Sequence, residues 1–258
     1  PTRYLWSHFD DYLAEPGFGA LDPLARWQLR RTVAGARRWD FAAAQRPDMI
    51  LANSQNVQDR IEKYYKRDST VLYPVVDVER FRKSHPRPTG MNRPYVVVIS
   101  RLVPYKRVDL AVQAAKELQY PLVVIGTGPE LNRLRTVAGP DTVFLNEAPD
   151  EEVVQYMQHA EAFLFPGEED FGITPVEAMA SGVPVIAYGR GGASETVDDA
   201  SGIHVPRQTI QAFVRAIQQL DKKQFDPAYL RARAQSFSKD RFIRELREAV
   251  RVAVDGSN

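Results

Sequence analysis

From Tyr95 onward the chain alternates between two hydrophobic periods. Short runs rich in Val, Ile and Phe are separated by segments whose apolar residues recur every three or four places. The runs Tyr95–Ser100, Leu122–Gly126, Thr142–Leu145, Ala162–Pro166, Pro184–Ala187 and Gly202–Val205 have the length and β-branched content of strands. The segments between them predict helices near 107–119, 129–138, 150–160, 174–182 and 193–198. Strands this apolar are buried on both faces, the situation of a parallel sheet with helical crossovers. The pattern therefore predicts a doubly wound α/β domain over residues 94–236.

The first 94 residues follow a different rhythm. Tyr12–Phe41 reads as mostly helix and loop, Met49–Asn53 as a strand, Gln55–Lys66 as a helix and Thr70–Tyr73 as a second strand. One and a half βα units cannot close a sheet. Residues 1–81 are thus expected to be the remnant of another α/β domain whose opening strands lie upstream, and a proline at position 1 fits a piece of a longer protein. Residues 82–93 are polar with Pro and Gly, as in a linker. Residues 237–258 contain a helical stripe of Phe242, Leu246, Val250 and Val254, expected to pack back towards the first domain.

Composition narrows the chemistry. Among 258 residues, 34 Lys and Arg balance 33 Asp and Glu, so no global field draws the chain to nucleic acid. With no cysteine, a disulfide scaffold, an iron–sulfur cluster, a thiolate zinc site and a Cys nucleophile are excluded. The longest apolar runs fall far short of the roughly 18 residues that span a bilayer. No secretory signal opens the sequence.

Parallel sheets bind ligands beyond the carboxyl ends of their strands. After the first long strand come Arg101 and Lys106, an Arg fork and a Lys point charge suited to a diphosphate near a helix start, or else two ordinary surface cations. After a later strand come Glu168, Glu169 and Asp170, then Phe171-Gly172-Ile173-Thr174-Pro175-Val176-Glu177. Thr174 followed by Pro175 predicts a helix capped at Thr174, and Thr174-x-x-Glu177 then reads as a capping box. Glu177 equally suits a carboxylate that accepts hydrogen bonds from a ribose diol. The three acids form either a solvated loop or a seat for hydroxyls or a cation. Gly189–Gly192 offers either backbone amides to an anion or a flexible turn. Gly126-Thr-Gly128-Pro-Glu130 lacks the third glycine of a dinucleotide fingerprint and the Gly-Lys-Ser/Thr of a P-loop. No Asp-x-Asp pair, ligand-spaced His set or Gly-x-Ser-x-Gly elbow occurs, so neither a metal nor serine hydrolase chemistry is implied.

These residues resemble the retaining nucleotide-sugar glycosyltransferases of family 4, which have the GT-B fold. Glu169 and Glu177 form the family's Glu-x7-Glu pattern, continued as Glu177-Ala-Met-Ala-Ser-Gly-Val-Pro-Val-Ile. Arg101…Lys106, Gly126-x-Gly-Pro-Glu130, Pro149-Asp-Glu-Glu152 and Gly191-Gly-x-x-Glu195 follow in the family's order, and the likeness covers about residues 45–220. The opening Pro1-Thr-Arg-Tyr-Leu-Trp6 and Ile50–Ser54 look like the later part of an acceptor-side domain, in the style of polysaccharide and O-antigen mannosyltransferases.

The resemblance implies a C-terminal donor domain with roles for each residue. Arg101 and Lys106 would hold and stabilise the departing diphosphate. Glu169 would bind the donor sugar's hydroxyls, and Glu177 the ribose. Gly172 and Ile173 would offer amides near sugar and phosphate, Asn146–Ala148 would flank the base, and Gly128 and Thr174 complete the donor-binding set. No cofactor or metal is expected. The donor would be GDP-mannose, with UDP- and ADP-sugars as alternatives, and the acceptor a saccharide or lipid-linked oligosaccharide at the cytoplasmic side. The family's glycine-rich loop and acceptor-side histidine are not matched, which makes a nucleotide-sugar-binding module without catalysis the rival. A sugar phosphorylase would need a pyridoxal-phosphate lysine site, which the sequence does not offer.

Residues 26–46 hold six arginines against the single acid Asp40, interleaved with aromatics. They suit contact with an anionic membrane surface or a lipid-diphosphate acceptor at a cytoplasmic leaflet, or else a solvated helix face that packs Trp27 and Trp39 inward.

Overall fold

Nearly every residue of the central strands loses its access to water, so helices must cover both faces of the sheet. The computed structural model describes residues 1–7, 9 and 22–255. His8 and the opening of the predicted 12–41 segment lie outside the described residues. The chain divides into two units, one of Pro1–Leu72 with the residues from Glu248 on, the other of Tyr73–Arg247.

In the first unit, α1 (Asp22–Ala44) precedes β1 (Leu51–Ala52), α2 (Gln55–Tyr65) and β2 (Thr70–Val71), with β1 and β2 paired in parallel. Ser54 caps α2 by accepting a hydrogen bond from the Val57 amide at 3.1 Å. Asp40 is held from two sides. Trp6 Nε1 donates to Asp40 Oδ2 at 2.6 Å and the Tyr65 hydroxyl donates to the same oxygen at 2.7 Å. The inward packing of the tryptophans on α1 does not occur. Trp27 is 52% and Trp39 70% exposed, and Arg31 stacks 4.8 Å from the Trp27 ring. Among the described residues, no helix is long and apolar enough to cross a membrane.

The second unit is a six-stranded parallel sheet in the order β5–β4–β3–β6–β7–β8. Its strands are β3 (Val96–Ile99), β4 (Leu122–Ile125), β5 (Thr142–Leu145), β6 (Ala162–Phe165), β7 (Val185–Tyr188) and β8 (Gly202–Val205), each within one residue of its predicted run. Alternate side chains enter opposite layers. Val97, Val123, Phe163 and Val185 point into one core, and Val96, Val124, Leu164 and Ile186 into the other. The first layer is completed by α5 (Asp150–Gln158), α6 (Ile173–Ser181), α7 (Ala193–Thr196) and α9 (Pro227–Gln235). The second is completed by α3 (Val108–Leu118), α4 (Leu131–Val137) and α8 (Ile210–Gln218). The chain ends in α10 (Lys239–Asp255).

Two findings differ from the sequence reading. First, α8 and α9 were not anticipated, although Thr209 accepts from the Ala212 amide and Asp226 from the Ala228 amide as N-caps, with Pro227 at the first turn. Second, the boundary falls after Leu72 rather than in 82–93. Val76, Val78 and Phe81 are buried in the core of the second unit, and the Val76 amide donates to the Phe237 carbonyl at 3.0 Å. Polar composition marked an exposed stretch, whereas the apolar residues just before it decide which core they join.

Leu230 is completely buried on α9, which packs against α6. Leu230→Ala is expected to cost about 2–5 kcal/mol, read as a lowered urea midpoint with unchanged slope.

Candidate functional site

The strand order reverses between β3 and β6, and the loops at their carboxyl ends part there to leave a crevice. The loops that bound it are laced together by backbone hydrogen bonds. The Ser100 amide donates to the Ile125 carbonyl at 3.0 Å, Leu102 to Thr127 at 2.8 Å, and Gly126 to Leu145 at 2.9 Å. This close approach explains two glycines. With φ of +136° and +157°, a Cβ on Gly126 or Gly128 would overlap the Ser100 or Leu102 carbonyl oxygen.

A cavity of about 500 Å³ opens between these loops. It is lined by Ile99, Ser100 and Arg101 after β3, by Gly126 and Thr127 after β4, and by Asn146–Ala148 after β5. Lys106, Phe165 and Thr174 close it from the other side. Arg101 is exposed at the mouth and makes no ion pair among the described residues. Lys106 follows it on a short turn, Pro104–Lys106, after which Arg107 adopts a left-handed backbone at φ 51° and starts α3. Its ammonium is already paired, with Nζ 2.6 Å from Glu169 Oε1 and both side chains only 20% exposed. The loop of Glu169 is pinned in turn, because the Gly192 amide donates to the Glu169 carbonyl at 2.9 Å. Arg135 donates to Asn146 Oδ1 at 3.2 Å and fixes that side chain's amide.

Five of the ten candidates, Arg101, Lys106, Asn146, Ala148 and Thr174, therefore line one cavity, and Glu169 joins it through Lys106. Glu177, Gly172, Ile173 and Gly128 do not line it. Gly128 instead packs on the Leu102 backbone, Gly172 lies by the Phe165 ring, and the Ile173 side chain is exposed.

The capping box is not formed. Gly172, with φ 87°, is the N-cap of α6 and gives no side-chain hydrogen bond, which leaves Thr174 and Pro175 inside the first turn. A left-handed glycine turns the chain into the helix two residues before the predicted threonine cap. Gly191–Gly192 does not gather amides for an anion either, since the Gly192 N–H is spent on Glu169.

Glu177 has surroundings that its spacing could not reveal. Burial pushes its carboxyl above the ordinary range, Arg80 pulls it back, and Asp150 and Asp77 add to the rise. Arg80 is anchored beside it, with Nη1 3.2 Å from Asp150 Oδ2 and Nη2 donating to the Asp150 carbonyl at 2.9 Å. Sequence reasoning missed Arg80, which sits in an unremarkable Glu-Arg-Phe-Arg stretch far from the motif. Among the described residues, no group of three or more His, Asp or Glu is placed to hold a metal ion.

Comparison with known proteins now bears on this geometry. Residues 77–237 match the family model "Glycosyl transferases group 1", which spans the crevice and every loop around it. The chain belongs to that family. This group 1 glycosyltransferase chain is 30% identical over 248 residues to a GDP-mannose-dependent alpha-(1-6)-phosphatidylinositol monomannoside mannosyltransferase of Mycolicibacterium smegmatis, covering 78% of this chain and 65% of that relative. It is 35% identical over 198 residues to a GDP-mannose-dependent alpha-mannosyltransferase of the same organism, covering 76% and 44%. The chain thus spans less than two-thirds of the length of these curated relatives. Among solved structures, HepE of Anabaena in complex with UDP and glucose superposes with a TM-score of 0.72 at 23% identity, over 83% of this chain and 66% of that one. Sucrose-phosphate synthase from Thermosynechococcus elongatus superposes at 0.71 and 20% identity, over 95% and 66%. These likenesses establish the α/β fold, similar to that of GT-B glycosyltransferases.

The raised Glu177 carboxyl gives a signed expectation. Its ionisation costs the folded state, so the cost is absent below the ordinary carboxylate pKa of about 4.3 and grows as pH rises through it towards the raised folded value. Glu177→Gln should leave Tm unchanged near pH 4 and raise it relative to the native chain near pH 7. Thermal melts across that range check it, and a Tm difference that shrinks towards neutral pH counts against the burial argument.

Proposed function

We propose that this chain is the donor-binding half, with part of the acceptor-side half, of a glycosyltransferase. In this reading it moves mannose from GDP-mannose to a polysaccharide or lipid-linked oligosaccharide with retention of configuration. The observation that carries the reading is the crevice at the sheet's switch point, where Arg101, without an ion pair among the described residues, and a carboxylate-paired Lys106 face the same cavity. The GDP-mannose dependence of the two mycobacterial relatives supports the choice of donor.

The chemistry follows from charge. As the acceptor hydroxyl oxygen bonds to the anomeric carbon, the bond from that carbon to the diphosphate oxygen breaks and negative charge collects on the leaving group. Arg101 and Lys106 stabilise that charge where a metal would otherwise be required. The acceptor attacks from the face the diphosphate leaves, and the departing phosphate oxygen takes its proton. At the start of α6, the Ile173 and Thr174 amides have no acceptor within the helix and are available to sugar or phosphate oxygens. Glu169 is assigned the sugar hydroxyls and Glu177 the ribose. Asn146 and Ala148 flank the base, and Gly128 lets the β4 loop approach the β3 loop closely.

A UDP-sugar donor is the second reading, favoured by the fold's likeness to HepE in its UDP complex. We also propose that α1, with Arg26, Arg30, Arg31 and Arg38 beside exposed Trp27, Trp39 and Leu24, rests on an anionic membrane at its cytoplasmic face. Flotation with anionic liposomes at low salt is expected to carry the chain upward, and failure to float ends that idea.

Calorimetric titration of the chain with GDP, UDP and ADP, without added metal, is expected to give micromolar binding selective for GDP. Arg101→Ala is expected to lose about 2 kcal/mol of that affinity, roughly 30-fold. Selective binding of UDP would transfer the proposal to the second donor. No binding to any of the three would remove the donor-site reading.

A further inference from the structure

Two cations face the cavity, and the structure treats them differently. Arg101 stands exposed without an ion pair among the described residues, whereas Lys106 is held by Glu169 at 2.6 Å. The contacting Glu169 oxygen is itself sealed from water. With four-fifths of its side chain covered, the carboxylate is poorly compensated by solvent when its partner leaves. Separating a sheltered pair costs most when one member is left alone, and little when both find new partners.

Resting on the donor-site reading above, we propose that the Lys106–Glu169 pair makes the site select the sugar-bearing nucleotide over the free nucleoside diphosphate. The two ligands ask different things of the pair. A nucleotide sugar supplies both replacements, since its phosphate accepts from Lys106 while a sugar hydroxyl donates to Glu169. A free nucleoside diphosphate supplies only the phosphate. It leaves the sheltered Glu169 oxygen unpartnered, and its terminal phosphate brings about one further negative charge next to that carboxylate at neutral pH. Glu169 thereby raises the cost of holding the product without raising the cost of holding the donor. Once the sugar has moved to the acceptor, the hydroxyl that satisfied Glu169 departs with it. Lys106 is then pulled back to the carboxylate, and the nucleoside diphosphate loses one of its two cations. Pinning of the Glu169 backbone by the Gly192 amide keeps the carboxylate from following the ligand out.

The test is a calorimetric comparison of GDP and GDP-mannose, repeated with UDP and UDP-glucose, on the native chain, Glu169→Gln and Glu169→Asp. Gln keeps the shape and a hydrogen-bonding oxygen but not the charge. The native chain is expected to bind the nucleotide sugar more tightly than the bare diphosphate. Glu169→Gln is expected to bind the bare diphosphate about five- to tenfold more tightly while gaining nothing for the nucleotide sugar, so that the order of the two ligands narrows or inverts. Glu169→Asp, which keeps the charge, should keep the native order. In a Lys106→Met background, Glu169→Gln should leave the ratio of the two affinities less changed, because the pair no longer exists. Equal weakening of both ligands by Glu169→Gln overturns the inference and leaves the donor site standing, with Glu169 a plain sugar contact. A native chain that binds neither nucleotide overturns the donor-site reading and this inference with it.

Discussion

The sheet of the second unit is buried on both faces, and that constraint fixes where chemistry can occur. Val96, Val97 and Val98 lie at or below 1% exposure, as do Leu122, Val123 and Val124. No polar side chain can be placed along such strands without burying it unpaired, so functional groups are pushed to the strand ends. At the carboxyl end the loops after β3, β4 and β5 must leave in one direction and the β6 loop in the other, and the gap between them is the cavity. The same crowding sets the loop sequences. Backbones that approach closely enough to share hydrogen bonds leave no room for a Cβ at Gly126 or Gly128.

Electrostatics within that gap follow from the order of its groups in the chain. Arg101 comes two residues after β3 and reaches solvent, while Lys106 comes after a full extra turn and lies against the β6 loop. The result is one cation at the mouth and one held inside. The first can draw an anion inward over a distance, and the second is committed to a neighbour until a ligand satisfies both. Two cations of equal exposure would have attracted any anion. In the donor site we propose, an ion pair inside makes the response depend on what accompanies the phosphate.

The central strands were legible because burial on both faces writes a short apolar run, and regular alternation with helix-period segments marked these runs as strands. The helices between them were legible from their period. What escaped has local causes. Amphipathic α8 and then α9, which carries almost no apolar stripe, follow the final strand, where the alternation of strand and helix stops and no further strand frames them. Thr174 and Glu177 match a capping box by spacing, but the spacing cannot see that Gly172 adopts a left-handed turn and starts the helix first. Gly189–Gly192 read equally as an anion cradle or a flexible turn, because glycine density is visible in sequence and the partner of an amide is not. Arg80 was invisible for the same reason, since only folding brings it beside Glu177. Among the candidate residues, loop order along the chain placed Arg101, Lys106 and Thr174 at the strands' carboxyl ends, where they line the cavity, whereas Asn146 and Ala148 were implied only by the resemblance and Gly128, Gly172, Ile173 and Glu177 lie off it. It did not predict that Lys106 and Glu169 would meet each other.

The placing of residues 73–81 shows why the second unit holds its site without help from its own termini's composition. Its first and last segments close on each other. Tyr73, Phe171 and Phe237 form a ring cluster with centroids 5.5–5.8 Å apart, and Arg241 donates to the Tyr73 carbonyl at 2.9 Å. Phe171 is the residue that follows the acidic loop, so the clasp that closes the unit also backs Glu168–Asp170 from behind. Held by the aromatic cluster on one side and by the Gly192 amide on the other, the acidic loop keeps Glu169 within reach of Lys106, and the selectivity we propose for the crevice rests on that hold.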